Sequence, residues 1–167
     1  MDNLFLNLPA YVTGLSFTVL LALLLGRKRA DRGALWRCAA VIAVNWVLGT
    51  AFVTLTANYD PWEYNMFIDS VAMAVVLRHP AWRAQAAIGL LYIVQICCHI
   101  AYGGRELLGY PNDAIFYYDA LTIIAWAQLL VLGGWACGVG WATAAIGRWP
   151  YRHASWRAAH LRNHAGP

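Results

Sequence analysis

The stretch Ala84 to Tyr102, AQAAIGLLYIVQICCHIAY, is apolar for long enough to cross a bilayer as one helix, yet it carries Gln95 and His99 within it. At 3.6 residues per turn, Tyr92, Gln95, His99 and Tyr102 fall at spacings of three, four and three and share one helical face. A polar side chain in hydrocarbon is costly and turns toward a bundle interior or a water-filled cavity. The remaining chain is therefore expected to supply groups that meet this stripe.

Composition agrees with a membrane setting. Hydrophobic residues make up 61% of the 167 positions and charged ones 12%, which excludes an ordinary soluble domain. The expected fold is all-α: a polytopic bundle of five transmembrane helices over 1–147, with a basic cytoplasmic tail over 148–167. The first apolar run, from about Leu8 to Gly26, ends at Arg27, Lys28 and Arg29. A second runs from about Leu35 to Thr56, and a short third begins at Pro61 and reaches Leu77. Ala84 to Tyr102 is the fourth. The fifth begins near Ala114 and is read as one long or kinked helix to Gly147, bent near Gly133-Gly134. The amino terminus lacks the basic region of a secretory signal and is read as retained.

Charge sets the orientation. In this arrangement eleven of the 12 Lys and Arg residues lie on one side and only Arg105 on the other, where Asp2, Asp60, Glu63, Glu106 and Asp113 gather. Basic loops stay in the cytoplasm, so the expectation is an inner-membrane, multi-pass protein with its amino terminus outside and its carboxy terminus inside. The net charge of +4 thus reflects topology and the tail, not a nucleic-acid surface. Arg152, Arg157 and Arg162 interleaved with Trp156 suit anionic lipid head groups. The expected partners are the lipid bilayer, those head groups and a second copy of the chain. That copy would pack on the small-residue rows Gly134/Gly138 and Ala136/Gly140/Ala144.

Depth picks out the candidate site. Asp69, His99 and Asp119 all fall in the outer half of their spans, Gln95 lies a turn deeper, and Asn45 is nearest the middle. With Tyr92, they are expected to line an outward-facing Asp/His pocket between spans three, four and five that binds or passes a small ion or solute, protons included. The alternative role is helix packing alone, with Asp69 bonded to His99, Asp119 to a tyrosine hydroxyl and Asn45 to a backbone carbonyl. No phosphate loop, nucleophile elbow or metal-ligand spacing occurs, and the four cysteines form no C-x-x-C pair. No catalytic residue, cofactor or metal is therefore assigned. Two other classes fit the same features. One resembles in form the holin pore formers of tailed phages, which are small, helical, basic-tailed and oligomeric; the other is a structural or assembly subunit of a larger membrane complex.

Overall fold

The computed structural model describes residues 2–57, 61–111 and 113–146, with side chains from Pro9 onward except Lys28. The expected tail at 148–167, with Trp156 and its arginines, lies outside the described residues. Among the described residues the fold is all-helical: α1 (Asp2–Leu25), α2 (Arg32–Thr56), α3 (Trp62–Leu77), α4 (Arg83–Leu107), α5 (Ala114–Ala136) and the single turn α6 (Gly140–Thr143). Each long helix packs on the next in sequence and α5 closes back on α1, so α1 to α5 form a ring. The α3–α4 contact is the most extensive of these.

Close approach explains that contact. A Cβ at Gly89 would overlap the Leu77 side chain, and one at Gly103 would fall inside the Trp62 ring, so α4 meets α3 through glycine at both ends. Turns of a few residues make the helices antiparallel. Arg27, Arg29, Arg32, Arg78 and Arg83 collect at one end of the ring, the basic end, while Glu63, Glu106 and Asp113 collect at the other, the acidic end.

Helix limits depart from expectation: α1 begins at Asp2 and not near Leu8, α2 begins at Arg32 and not near Leu35, and three further departures bear on the site. First, α4 continues past Tyr102 through the paired glycines to Leu107, 25 residues and about 37 Å in all. Second, α3 is only 16 residues, about 24 Å, with Pro61 capping it from outside. Third, α5 does not run to Gly147; it stops at Ala136. Gly138 takes φ +82°, and the amides of Cys137, Gly138 and Val139 fold back on the carbonyls of Gly133, Trp135 and Gly134. Glycine accepts this left-handed conformation without a Cβ clash, so it ends the helix where apolar composition alone would continue it. Gly134 and Gly138 consequently do not share a helical face, and neither do Ala136, Gly140 and Ala144. After α6 the chain runs extended beside the α3–α4 turn: Arg83 N–H donates to the Ala144 carbonyl at 3.0 Å and Ile146 N–H to the Ala81 carbonyl at 2.9 Å.

The basic end is tied by one buried acid. Asp31, 5% exposed, accepts from Arg29 Nε at 2.8 Å, Arg29 Nη2 at 2.6 Å and the Trp135 indole at 2.6 Å. Arg29 Nη1 in turn donates to the carbonyls of Trp135 and Ala136 at 2.7 and 3.3 Å. A guanidinium at these last carbonyls of α5 satisfies orphan acceptors and complements the helix dipole. Burial pushes the Asp31 carboxyl up, but the Arg29 and Trp135 bonds and the Arg29 charge outweigh it and hold the group below its usual value.

Inside the ring, Leu35, Ile88, Leu132 and Trp135 are fully buried and form an apolar layer toward the basic end. Outside it, Phe17, Leu20, Val44, Phe67, Leu90, Ile123 and Leu130 are exposed. An apolar surface of that extent does not belong in water, and α2, α4 and α5 are each long and apolar enough to cross a membrane. The protein is built for association with a membrane.

Candidate functional site

The polar stripe of α4 faces the ring interior, where Tyr92, His99 and Tyr102 are buried and Gln95 is half-buried. Phase explains the arrangement: the exposed Ile93, Val94, Cys97 and Ile100 occupy the opposite face of the same helix, so rotating α4 would bury one set only by exposing the other.

Asp69, one side of whose helix packs on α4, meets this stripe directly. His99 Nε2 lies 2.8 Å from Asp69 Oδ2, and Asn45 Nδ2 donates to Asp69 Oδ1 at 2.7 Å. On the far side of the imidazole, His99 Nδ1 lies 2.6 Å from the Tyr117 hydroxyl, whose ring stacks on Tyr102 at 4.1 Å. Four helices thus join in one polar chain, Asn45–Asp69–His99–Tyr117. Asp69 is 1% exposed and His99 fully buried. A buried carboxylate is tolerable only when its oxygens are occupied by donors, and here both are.

The roles around the ring follow from that carboxylate. An ionised Asp69 accepts only, so His99 Nε2 carries hydrogen and donates to it. With neutral His99, Nδ1 then accepts from the Tyr117 O–H; with protonated His99, Nδ1 donates to the Tyr117 oxygen instead. Either state keeps every bond in the chain. His99 can therefore take up or release a proton without a heavy atom moving.

Above this chain opens a cavity of about 630 Å³. All five long helices contribute to its wall, including Tyr11 from α1 and Asn45, Trp46 and Thr50 from α2, so it is wider than a cleft among the third to fifth helices. Thr54, Ala57 and Tyr118 place its mouth at the acidic end, and Ile42, Gln95 and Gln128 mark its depth. None of the fully buried Leu35, Ile88, Leu132 and Trp135 lines it. In this form the cavity is closed toward the basic end.

The six residues singled out from sequence divide as follows. Asp69, His99, Asn45, Gln95 and Asp119 all line the cavity. Asp119 stands apart from the buried chain: it is exposed, two residues further along α5 than the Tyr117 that bonds His99. Gln95 pairs with Gln128, whose Nε2 donates to Gln95 Oε1 at 3.3 Å. Tyr92 does not line the cavity; fully buried among the apolar layer, its hydroxyl has no bonding partner among the described residues. Asn45 bonds to Asp69, not to a backbone carbonyl. Sequence reasoning sets Tyr117 with Tyr118 at the rim and leaves Trp46 and Trp126 between packing and a cavity wall, and it does not single out Tyr11 or Asp31. Tyr117 sits beside Tyr118, and only the phase of α5 decides which of the two turns inward. Asp31 carried a signal, as the one acid in a basic loop.

Among the described residues no three His, Cys, Asp or Glu side chains come together to hold a metal ion. Ser70, next to Asp69 in sequence, bonds back to the Met66 carbonyl at 2.7 Å and takes no part in the buried chain.

Fold and site together define an all-helical protein suited to a membrane, with a polar cavity inside its ring. In comparison with known proteins, the chain matches no family model, no curated protein and no solved structure.

Proposed function

We infer that this chain is a multi-pass protein of the cell inner membrane that binds or passes a small ion or solute, protons among them, through the cavity. One observation carries the reading: an ionisable Asp69–His99 pair, 2.8 Å apart and fully enclosed, at the wall of a cavity of about 630 Å³ inside otherwise apolar helices. Helix packing alone needs hydrogen bonds, not a carboxylate and an imidazole beside an open volume. The chain crosses five times, α1 and the short α3 included, with the basic end in the cytoplasm and the cavity mouth outside; the clustering of arginine at one end supports this orientation. Passage requires a second form in which the Leu35–Ile88–Leu132–Trp135 layer parts. A pore former of holin type would need a continuous polar path, and that layer interrupts it here.

The test is proton flux into proteoliposomes that enclose a pH-sensitive dye. Wild-type protein is expected to speed the collapse of an imposed pH gradient, Asp69→Asn to abolish the effect and Asp119→Asn to weaken it. Flux that survives both substitutions would assign the polar chain to helix packing only.

A further inference from the structure

The cavity carries more chemistry than a proton requires. Tyr11, Trp46 and Trp126, from three different helices, make one aromatic surface in its wall. The Tyr11 ring lies 6.1 Å from Trp46 at 37° and 5.6 Å from Trp126 at 84°, nearly edge-on. The faces of such rings are electron-rich and attract cations. Asp69 and Asp119 also line the cavity, whereas no Lys or Arg does among the described residues.

Asn45 adds a direction. With its Nδ2 donating to Asp69, the Asn45 amide has Oδ1 left over as an acceptor. That oxygen is buried and has no donor among the described residues. A buried acceptor without a donor is costly, and a turn of the Asn45 side chain that brings it to the cavity surface, where an N–H group can reach it, would relieve it. The volume lies within the range of small-molecule sites and far exceeds a bare metal ion, for which the donor set is also wrong. Two carboxylates disfavour an anion.

We propose that the cavity is a site for a small protonated amine with a ring-sized apolar body, its N–H groups directed to Asn45 Oδ1 and Asp69 and its body laid on the Tyr11–Trp46–Trp126 surface. The proposal rests on the cavity being a binding site, as inferred above, and names the class of solute. Asp119, exposed in the cavity wall, draws the cation inward by its field.

Equilibrium dialysis of the full chain in lipid nanodiscs, against empty nanodiscs, tests it with four probes of one shape: benzylammonium, benzyltrimethylammonium, benzyl alcohol and benzoate. Benzylammonium is expected to bind about tenfold more tightly than the alcohol or benzoate. It should also exceed the quaternary probe, which has no N–H for Asn45. Asp119→Asn, at an exposed position that folding does not depend on, should weaken benzylammonium several-fold and leave the alcohol unchanged. Equal or tighter binding of the alcohol or benzoate would overturn the amine class while leaving a binding cavity in place. No binding of any probe by protein that still carries proton flux would overturn it too, with the proton pathway intact. No binding and no flux would overturn both readings.

Discussion

Replacing Asp69 discriminates between a paired, enclosed carboxylate and an incidental one. In Asp69→Ala the Asn45 amide and the His99 imidazole lose their common acceptor inside a site where Asp69 is 1% exposed and His99 wholly buried. Each stranded donor costs about 1–3 kcal/mol in a soluble core. In a membrane the unfolded helices also find partners, and measured interhelical hydrogen bonds average about 0.6 kcal/mol, so the lower part of that range applies. Asp69→Ala should therefore cost about 2–4 kcal/mol. Asp69→Asn keeps the shape, an acceptor for Asn45 and a group to bond His99 after a change of tautomer, and should cost about 1 kcal/mol or less. Reversible unfolding in mixed detergent micelles, followed by far-ultraviolet circular dichroism, measures both. The reasoning fails if the two variants are equally stable, or if Ala matches wild type. A double-mutant cycle with His99→Leu should show the Asp69 and His99 effects to be strongly non-additive.

Three further outcomes follow from the packing. Trp135→Phe removes the indole donor 2.6 Å from Asp31 while keeping the ring, and should lower stability by about 1–2 kcal/mol in the same unfolding assay, with a further loss on adding Asp31→Asn because the Arg29 bonds to the carboxylate are still there to weaken. Because the folded-state value of Asp31 lies below the ordinary 3.8, its contribution is complete above that pH and disappears as pH falls through the folded value. Acid unfolding of wild type should therefore be steeper than that of Asp31→Asn below about pH 4. Gly103→Ala and Gly104→Ala, adjacent in α4, should differ: a Cβ at the first meets the Trp62 ring and one at the second meets nothing within 4 Å. Thermal denaturation should show the first destabilised by about 1–3 kcal/mol and the second unchanged or slightly more stable, since alanine favours the helix.

The parts of this fold that could be read from sequence are those set by local periodicity and by charge. The stripe of α4 was legible because residues three and four apart on a helix share a face whatever surrounds them. Which group each stripe residue meets was not, because the level of His99 against Asp69 is set by how α4 seats on α3, with Gly89 against Leu77 and Gly103 against Trp62. The end of α5 was hidden for the opposite reason: apolar residues continue past Ala136, and one left-handed glycine, Gly138, decides the matter. Tyr117 and the aromatic surface of Tyr11, Trp46 and Trp126 depend on helix rotation within the ring, a tertiary quantity with no trace in spacing.

The central claim is a polar cavity inside the ring that opens at the acidic end and is closed at the basic end. Single cysteines at Thr50 and Thr122, on facing helices of the cavity wall, test it most directly in a chain whose four native cysteines are changed to Ala. A membrane-impermeant maleimide should label both positions from outside intact spheroplasts, and neither in inverted membrane vesicles. Labelling in the inverted vesicles, or none from either side, would contradict the account.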